Sequence, residues 1–289
     1  MDYSTFVKAI RNLPTPSPVL MRIENVLKNP ESTASQIADV IRLDPAITSK
    51  VLRLANSAYV GVVRTVTSLQ NAVVLLGSKR VHSIVLASEL LNTVSIKQSS
   101  GFRLDLYWLH SVTTALIAEG IAGYVHTGGQ LDTNEVFVAA LLHDIGKLVL
   151  AKLMPDAITA ATIKAEESKT PYWKNEEPES HHTIAGKYLS EHWSFPAVLT
   201  DCICKHHQPE ASTESALVVS IIHISDVTAH MIGRSVMEHE VAPEISPFAL
   251  GKVALSPEQF KVIATKAIEN RKKVDSLLEM FNVSVPAQN

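Results

Sequence analysis

The residues best suited to chemistry interrupt one of the most apolar stretches of this sequence. His143, Asp144 and Lys147 lie within residues 136–150, where every other residue is apolar or glycine. An ionised Asp in a dry interior is costly unless a cation or several hydrogen-bond donors meet it, and a divalent metal compensates it most strongly. Neighbouring residues of a helix differ by about 100° around its axis, so His143 and Asp144 can both lean toward one point.

Asp226 repeats this pattern inside a second apolar segment, residues 217–227. Two buried carboxylates repel each other, so without a cation one should be protonated or turned outward, whereas a metal satisfies both. Other imidazoles stand near the ends of predicted helices, at His110, His182, His206 and His207. Imidazole together with carboxylate suits a divalent transition metal and leaves iron, manganese, nickel, cobalt and zinc open.

The remaining polar groups of these segments have less specific interpretations. With 12 histidines in 289 residues, adjacent His pairs arise by chance, so only an apolar context makes one a candidate. Lys147 is either a cation that contacts phosphate or a solvated helix residue. Six histidines match no second ligand group and are interpreted as core or surface residues: His82, His126, His192, His223, His230 and His239.

Helices must position these side chains, because the composition favours packed helices over short strands. Hydrophobic residues make up 46% of the chain, aromatic residues only 6%, and glycine only 11 of 289 positions. The sequence therefore predicts an all-α protein. The longer predicted helices span residues 107–126, 134–154, 182–193, 196–206 and 216–233, and several are apolar nearly all round, as in the centre of a bundle.

Shorter helices divided by Pro and Gly are predicted in the first hundred residues. Thr33 to Gln36 fits a capping box, Asp44-Pro45 starts a further helix, and Ser256-Pro257 opens a last helix to about residue 280. The polar stretch 95–103 predicts a boundary between lobes. We therefore expect an N-terminal helical lobe over 1–100, a second helical domain over 101–281 that carries the candidate site, and a flexible tail over 282–289.

Composition also restricts the class of partner and the compartment. A net charge of −3 creates no global field for a polyanion, so nucleic acid is unlikely as the main partner on these grounds. Cys202 and Cys204 lack the spacing of a disulfide framework or zinc knuckle, and we interpret them as buried thiols in a reducing compartment. No signal peptide and no apolar run of about 18 residues is evident, which predicts a cytoplasmic protein with no membrane partner.

Two sets of motifs together resemble the HDOD (HD-related output domain) family, and the resemblance covers nearly the whole chain. The first set is DPAITSKVLRLANSAY at residues 44–59 with TSLQNAVVLLG at residues 67–77. The second is a series in the order that the HD superfamily uses, namely Trp108 with His110-Ser111, residues 143–147 (HDIGK), His182 with Gly186, Trp193 with Pro196, His206-His207, and Asp226.

This resemblance implies an N-terminal helical lobe packed on an HD-type domain, similar in fold to the metal-dependent HD phosphohydrolases. It also implies one or two divalent ions. His110, His143, Asp144 and Asp226 would hold one ion, and a second would lie beside a bridging Asp144 with three further histidines, His182, His206 and His207. The chain departs from the HD-GYP phosphodiesterases, because Leu106 replaces their extra glutamate and residues 208–212 lack the GYP signature.

Three functions follow from these observations, in descending order. The first is bacterial signal transduction, in which the metal-bearing chain binds a signalling partner protein or a small phosphorylated ligand. The second is an active metal-dependent phosphohydrolase or phosphodiesterase on a nucleotide or phosphoester, with Asp144 and Lys147 as catalytic residues and Lys147 paired with phosphate. A regulator linked to nucleic acid ranks last, since only Lys79-Arg80 and residues 271–273 support it.

Overall fold

The computed structural model describes residues 3–29, 31–93, 102–125, 131–237 and 240–280, and every regular element in these ranges is a helix. The predicted all-α class is confirmed. The helices are α1 (Tyr3–Arg11), α2 (Pro18–Leu27), α3 (Ala34–Ile41), α4 (Pro45–Ala55), α5 (Leu69–Leu76), α6 (Ser78–Thr93), α7 (Leu104–Ala122), α8 (Thr133–Leu142), α9 (Ile145–Leu153), α10 (Pro155–Ser168), α11 (His182–His192), α12 (Ala197–Lys205), α13 (Ala216–Met231), α14 (Pro247–Val253), α15 (Pro257–Glu269) and α16 (Arg271–Met280). Across the same ranges, no helix has the length and apolarity that crossing a bilayer requires.

The chain divides into two compact units, and the described residues of each unit come from two separate stretches of the sequence. One unit comprises the described residues of Met1–Leu13 and Val94–Glu269, and the other those of Pro14–Thr93 and Asn270–Val285. This division differs from a single cut at residue 100, because α1 packs on α9 and α11 while α16 packs on α4. The polar stretch 95–101 and the tail 282–289 lie outside the described residues.

Local hydrogen bonds confirm the predicted helix starts in the unit that contains α2 to α6. Thr33 and Gln36 form a reciprocal capping box, and the Asp44 carboxylate accepts the backbone N–H groups of Ala46 and Ile47. Asn56 has a structural role, since its amide donates to the Val66 carbonyl and accepts the Val66 N–H. It thereby holds the loop that follows α4 in place.

In the other unit α7 is central, packed against α8, α13 and α15. Tyr107 and Trp108 on α7 are fully buried, as expected for a helix that is apolar nearly all round. α9 packs on α11, and α11 on α12. The helices that bear the candidate site are thus neighbours within one unit.

The predicted continuous helix over 134–154 is wrong, because the chain breaks between α8 and α9. His143 and Asp144 form the junction, and Asp144 has the non-helical angles φ −97° and ψ 13°. Close packing follows directly after the break, since a Cβ atom on Gly146 would lie 1.8 Å from the His182 carbonyl oxygen. Only a glycine allows the backbones of α9 and α11 to approach this closely.

The last predicted helix is also divided, into α15 and α16. The Asn270 carbonyl accepts the N–H groups of Lys273 and Val274, which starts a new helix. This break coincides with the point where the chain passes from one compact unit to the other.

Candidate metal centre

Four predicted ligands converge at the junction of α8 and α9, and we call them the first group: His110, His143, Asp144 Oδ2 and Asp226 Oδ1. The Nε2 atoms of His110 and His143 are 3.4 Å apart. Asp226 Oδ1 lies 3.1 Å from His110 Nε2 and 3.7 Å from His143 Nε2. Asp144 Oδ2 lies 3.7 Å and 3.5 Å from the same two nitrogens. The structure thus places both carboxylates near the same two imidazoles.

Backbone carbonyls fix the protonation of the two imidazoles in the first group. His110 Nδ1 lies 2.7 Å from the Arg234 carbonyl oxygen, and His143 Nδ1 lies 2.7 Å from that of Ala140. A carbonyl only accepts, so each Nδ1 must carry a proton and donate it. The two Nε2 atoms therefore face each other at 3.4 Å. Burial opposes a charge on the His143 ring, but the Asp144 carboxylate raises its pKa. A cation, either a proton or a metal ion, fits between the two nitrogens.

Three further histidines meet the other oxygen of Asp144, and we call this the second group: His182, His206, His207 and Asp144 Oδ1. Asp144 Oδ1 lies 3.4 Å from His182 Nε2 and 3.6 Å from His206 Nε2. His182 Nε2 is 3.3 Å from His206 Nε2 and 3.1 Å from His207 Nε2. Asp144 thus turns one oxygen to each group, as a bridging carboxylate would.

Outer contacts orient two imidazoles of the second group. His206 Nδ1 lies 3.1 Å from the carbonyl oxygens of both Cys202 and Ile203. His182 Nδ1 contacts Glu176 Oε2, while the His182 backbone N–H donates to Glu176 Oε1 at 3.1 Å. A carboxylate behind a ligating histidine favours a proton on the outer nitrogen and increases the basicity of the inner one. The third imidazole, His207, is held differently: its ring stacks on Trp173, with centroids 4.7 Å apart.

Burial and charge set the protonation of the centre. Burial alone would raise the pKa of Asp144, but the Lys147 ammonium and nearby imidazoles hold it well below its usual range. Burial likewise opposes ionisation of Asp226, yet neighbouring imidazoles hold its pKa well below the usual range. Burial lowers the pKa of His182 and His207 well below that of a free imidazole. Ionised carboxylates beside neutral imidazoles are the forms that bind metal.

The donor atoms of the two groups fit divalent transition-metal ions. Asp144 Oδ1, the oxygen that faces the second group, is buried and makes no hydrogen bond to any described residue. Metal–nitrogen bonds of about 2.0–2.1 Å place tetrahedral donors about 3.4 Å apart, which matches the spacing within both groups. Nitrogen and oxygen donors of this kind suit iron, manganese, nickel, cobalt or zinc. The first group could hold one ion and the second group another.

Lys147 lies inside the centre, so the interpretation as a solvated helix residue is wrong. Its side chain is 3% exposed, and Nζ lies 2.7 Å from Asp144 Oδ2. Burial opposes the charged ammonium, but the adjacent Asp144 carboxylate raises the pKa of Lys147 above its usual value. Contact of Lys147 with phosphate remains a prediction.

Two residues at the centre were missed by sequence reasoning. The sequence indicates for His230 only a core or surface residue, yet its Nε2 lies 3.2 Å from Asp226 Oδ1. Residues four apart on a helix lie side by side, so the spacing of Asp226 and His230 could have indicated this contact. No sequence pattern pairs Glu176 with His182, because Glu176 lies in the connection between α10 and α11, directly after a short 3-10 helix (Tyr172–Asn175). His223, by contrast, is the core residue predicted, since its Nδ1 lies 2.7 Å from the His206 carbonyl.

A third cluster, formed by Glu176, His181 and His182, is a poor metal site. His181 Nδ1 lies 2.8 Å from the Thr183 hydroxyl and accepts the Thr183 backbone N–H at 3.3 Å. A nitrogen that accepts is unprotonated, so the proton of a neutral His181 ring is on Nε2. That nitrogen faces Glu176 Oε2 at 3.5 Å as a donor and has no lone pair for an ion.

Comparison with known proteins identifies a matching family and a curated relative. The profile of the HDOD domain matches residues 13–209. A curated, uncharacterized protein of Treponema pallidum is 24% identical over 226 residues, which are 77% of this chain and 43% of that protein. This chain therefore spans less than half the length of that relative.

Solved structures are similar over nearly the whole chain. An HDOD domain protein of unknown function from Geobacter sulfurreducens is 25% identical, with a TM-score of 0.75, and the match covers 96% of this chain and 99% of that one. A provisionally assigned signal transduction protein from Marinobacter aquaeolei is 19% identical, with a TM-score of 0.78 and coverage of 94% and 60%. A provisionally assigned phosphohydrolase from Shewanella amazonensis is 21% identical, with a TM-score of 0.71 and coverage of 96% and 98%.

These likenesses agree with the motifs at residues 44–59 and 67–77, which lie inside the matched range. Asp226 lies beyond that range, so its place in the centre depends on the geometry described above. Because the HDOD profile covers more than half of the sequence, this chain belongs to the HDOD domain family.

Proposed function

We propose that this chain is a signal-transduction protein that binds divalent transition metal at the first and second groups. It acts by binding a signalling partner protein or a small phosphorylated ligand. The observation that carries the metal-binding part is the pair of facing Nε2 atoms on His110 and His143, 3.4 Å apart beside two buried carboxylates. The provisional assignment of the Marinobacter aquaeolei protein to signal transduction supports the signalling part.

Two features favour binding over turnover. Every donor side chain of both groups is at most 7% exposed, so an ion bound among them would lie in a buried environment. The Lys147 ammonium is paired with Asp144 Oδ2, 2.7 Å away. A catalytic metal needs an open coordination position, whereas an ion that shapes a signalling domain does not.

A metal-dependent phosphohydrolase is the second candidate, favoured by the bridging position of Asp144. A carboxylate that turns one oxygen to each of two ligand groups suits a pair of ions. When bound, such ions would supply Lewis-acid polarisation of a phosphoryl oxygen. The provisional assignment of the Shewanella amazonensis protein as a phosphohydrolase points in the same direction.

Elemental analysis tests metal binding. We expect purified wild-type protein to contain transition metal and His143→Ala to contain less. His192→Ala is the matched control, because this imidazole of the same unit bonds the Leu13 carbonyl oxygen instead of the carboxylates. A metal content that is the same in wild type and His143→Ala would contradict the proposal.

Turnover distinguishes the two candidates. The metal-loaded protein is assayed against a panel of phosphomonoesters, phosphodiesters and nucleotides, beside Asp144→Ala. The proposal predicts no product above the Asp144→Ala background. Metal-dependent release of phosphate or nucleotide by the wild type alone would instead establish the phosphohydrolase.

A further inference from the structure

Besides His110 and His143, Asp226 has a third imidazole beside it, which belongs to no predicted ligand set. His230 lies one turn later on α13 and is 5% exposed, and its Nε2 is 3.2 Å from Asp226 Oδ1. The same oxygen is 3.1 Å from His110 Nε2. Asp226 Oδ1 therefore lies between two imidazole nitrogens, and their chemical roles need not be the same.

The outer neighbours of these two rings differ in a decisive way. His110 Nδ1 faces the Arg234 carbonyl, which only accepts, so the proton of the neutral ring is on Nδ1 and Nε2 bears a lone pair. His230 Nδ1 lies 2.8 Å from the Ser235 hydroxyl, which can donate. The carboxylate of Glu240 is farther from this nitrogen, at 3.8 Å. His230 is thus free to carry its proton on Nε2, where it meets an oxygen that only accepts.

We infer that His230 is a positioning residue for the metal centre: its Nε2–H donates to Asp226 Oδ1, and the Ser235 hydroxyl sets this tautomer. The inference rests on the proposed metal binding and deepens it. The donor and the carboxylate are on the same helix, four residues apart, so the hydrogen bond fixes the rotation of the carboxylate. Oδ1 is then held toward His110 and His143 before an ion arrives.

The expected consequence is a change in affinity without a change in ligands. Loss of an outer hydrogen-bond partner costs about 10- to 100-fold in metal affinity. The effect should fall on the ion of the first group, which shares Asp226 Oδ1. The second group uses Asp144 Oδ1 and three other histidines, so its affinity should stay unchanged.

The test titrates metal-free protein with Co²⁺ against a chelator and records the visible spectrum of the bound ion. We expect His230→Ala to weaken the first-group ion by about 10- to 100-fold, with the spectrum at saturation unchanged. His230→Gln should recover most of the affinity, because its side-chain amide keeps an N–H donor. Ser235→Ala should give a smaller loss in the same direction, and it carries the test if His230→Ala fails to fold. His192→Ala is the control.

Unchanged Co²⁺ affinity in His230→Ala or, if that variant does not fold, in Ser235→Ala would overturn the inference. A saturated spectrum that changes, with His230→Gln as weak as His230→Ala, would identify a direct ligand and overturn it too. In both cases metal binding by the wild type, and hence the proposed function, would stand. Wild-type protein that binds no Co²⁺ would overturn the proposed function and this inference together.

Discussion

The donors on the two sides of Asp144 are anchored in different ways. In the first group both imidazoles are fixed by backbone carbonyls, and two carboxylates face them. The second group has one carboxylate oxygen and three imidazoles, and His207 Nδ1 makes no hydrogen bond to any described residue. Fixed donors with more negative charge bind a cation more tightly, so we expect the first group to bind its ion more strongly than the second.

The largest effect is expected from Asp144→Asn, because Asp144 is the one predicted ligand that belongs to both groups. Binding of a structural metal ion contributes about 10–16 kcal/mol, which is about 3 kcal/mol for each of four ligands. Loss of one ligand should therefore lower the metal affinity by about 100-fold. The change also leaves Lys147 buried without its carboxylate, which costs about 3–5 kcal/mol of stability. Elemental analysis should show both ions lost, and urea unfolding of the metal-free protein should show the lower stability. If the Asp144→Asn protein retained both ions, Asp144 would not be a ligand shared by the two groups.

A pair of variants with intermediate effect separates the two groups. His110→Ala should weaken the first-group ion by about 100-fold and leave the second, whereas His206→Ala should do the reverse. Co²⁺ titration against a chelator would resolve the two affinities, with His192→Ala as the control. Equal loss of both ions in each variant would mean that the groups do not bind independently.

The smallest effect should come from Glu176→Gln, which keeps an acceptor behind His182 but removes the charge. Burial raises the pKa of the Glu176 carboxyl well above its usual range, and a cation bound at His182 would favour its ionised form. We expect about a 10-fold loss of affinity in the second group alone. The same titration measures it, and a loss confined to the first group would contradict the assignment of Glu176 to His182.

The sequence was sufficient for the helical class and for the polar residues set into apolar helices, because an isolated Asp among aliphatic residues is evident without coordinates. The break at His143 and Asp144 could not be predicted from propensity, since no strong helix breaker precedes Gly146. The close approach of α9 to the His182 carbonyl at Gly146 is a tertiary contact, which helix propensity does not report either. Glu176 was missed for a similar reason, because its contact with His182 depends on the conformation of the connection between α10 and α11.

Anomalous diffraction from crystals of the metal-loaded protein, collected on both sides of the absorption edge of the added metal, tests the central claim most directly. The account predicts one peak bound by His110, His143, Asp144 and Asp226. At higher metal concentration, a second peak should appear on the other oxygen of Asp144. Peaks confined to the protein surface, with these side chains unliganded in crystals grown at saturating metal, would contradict it.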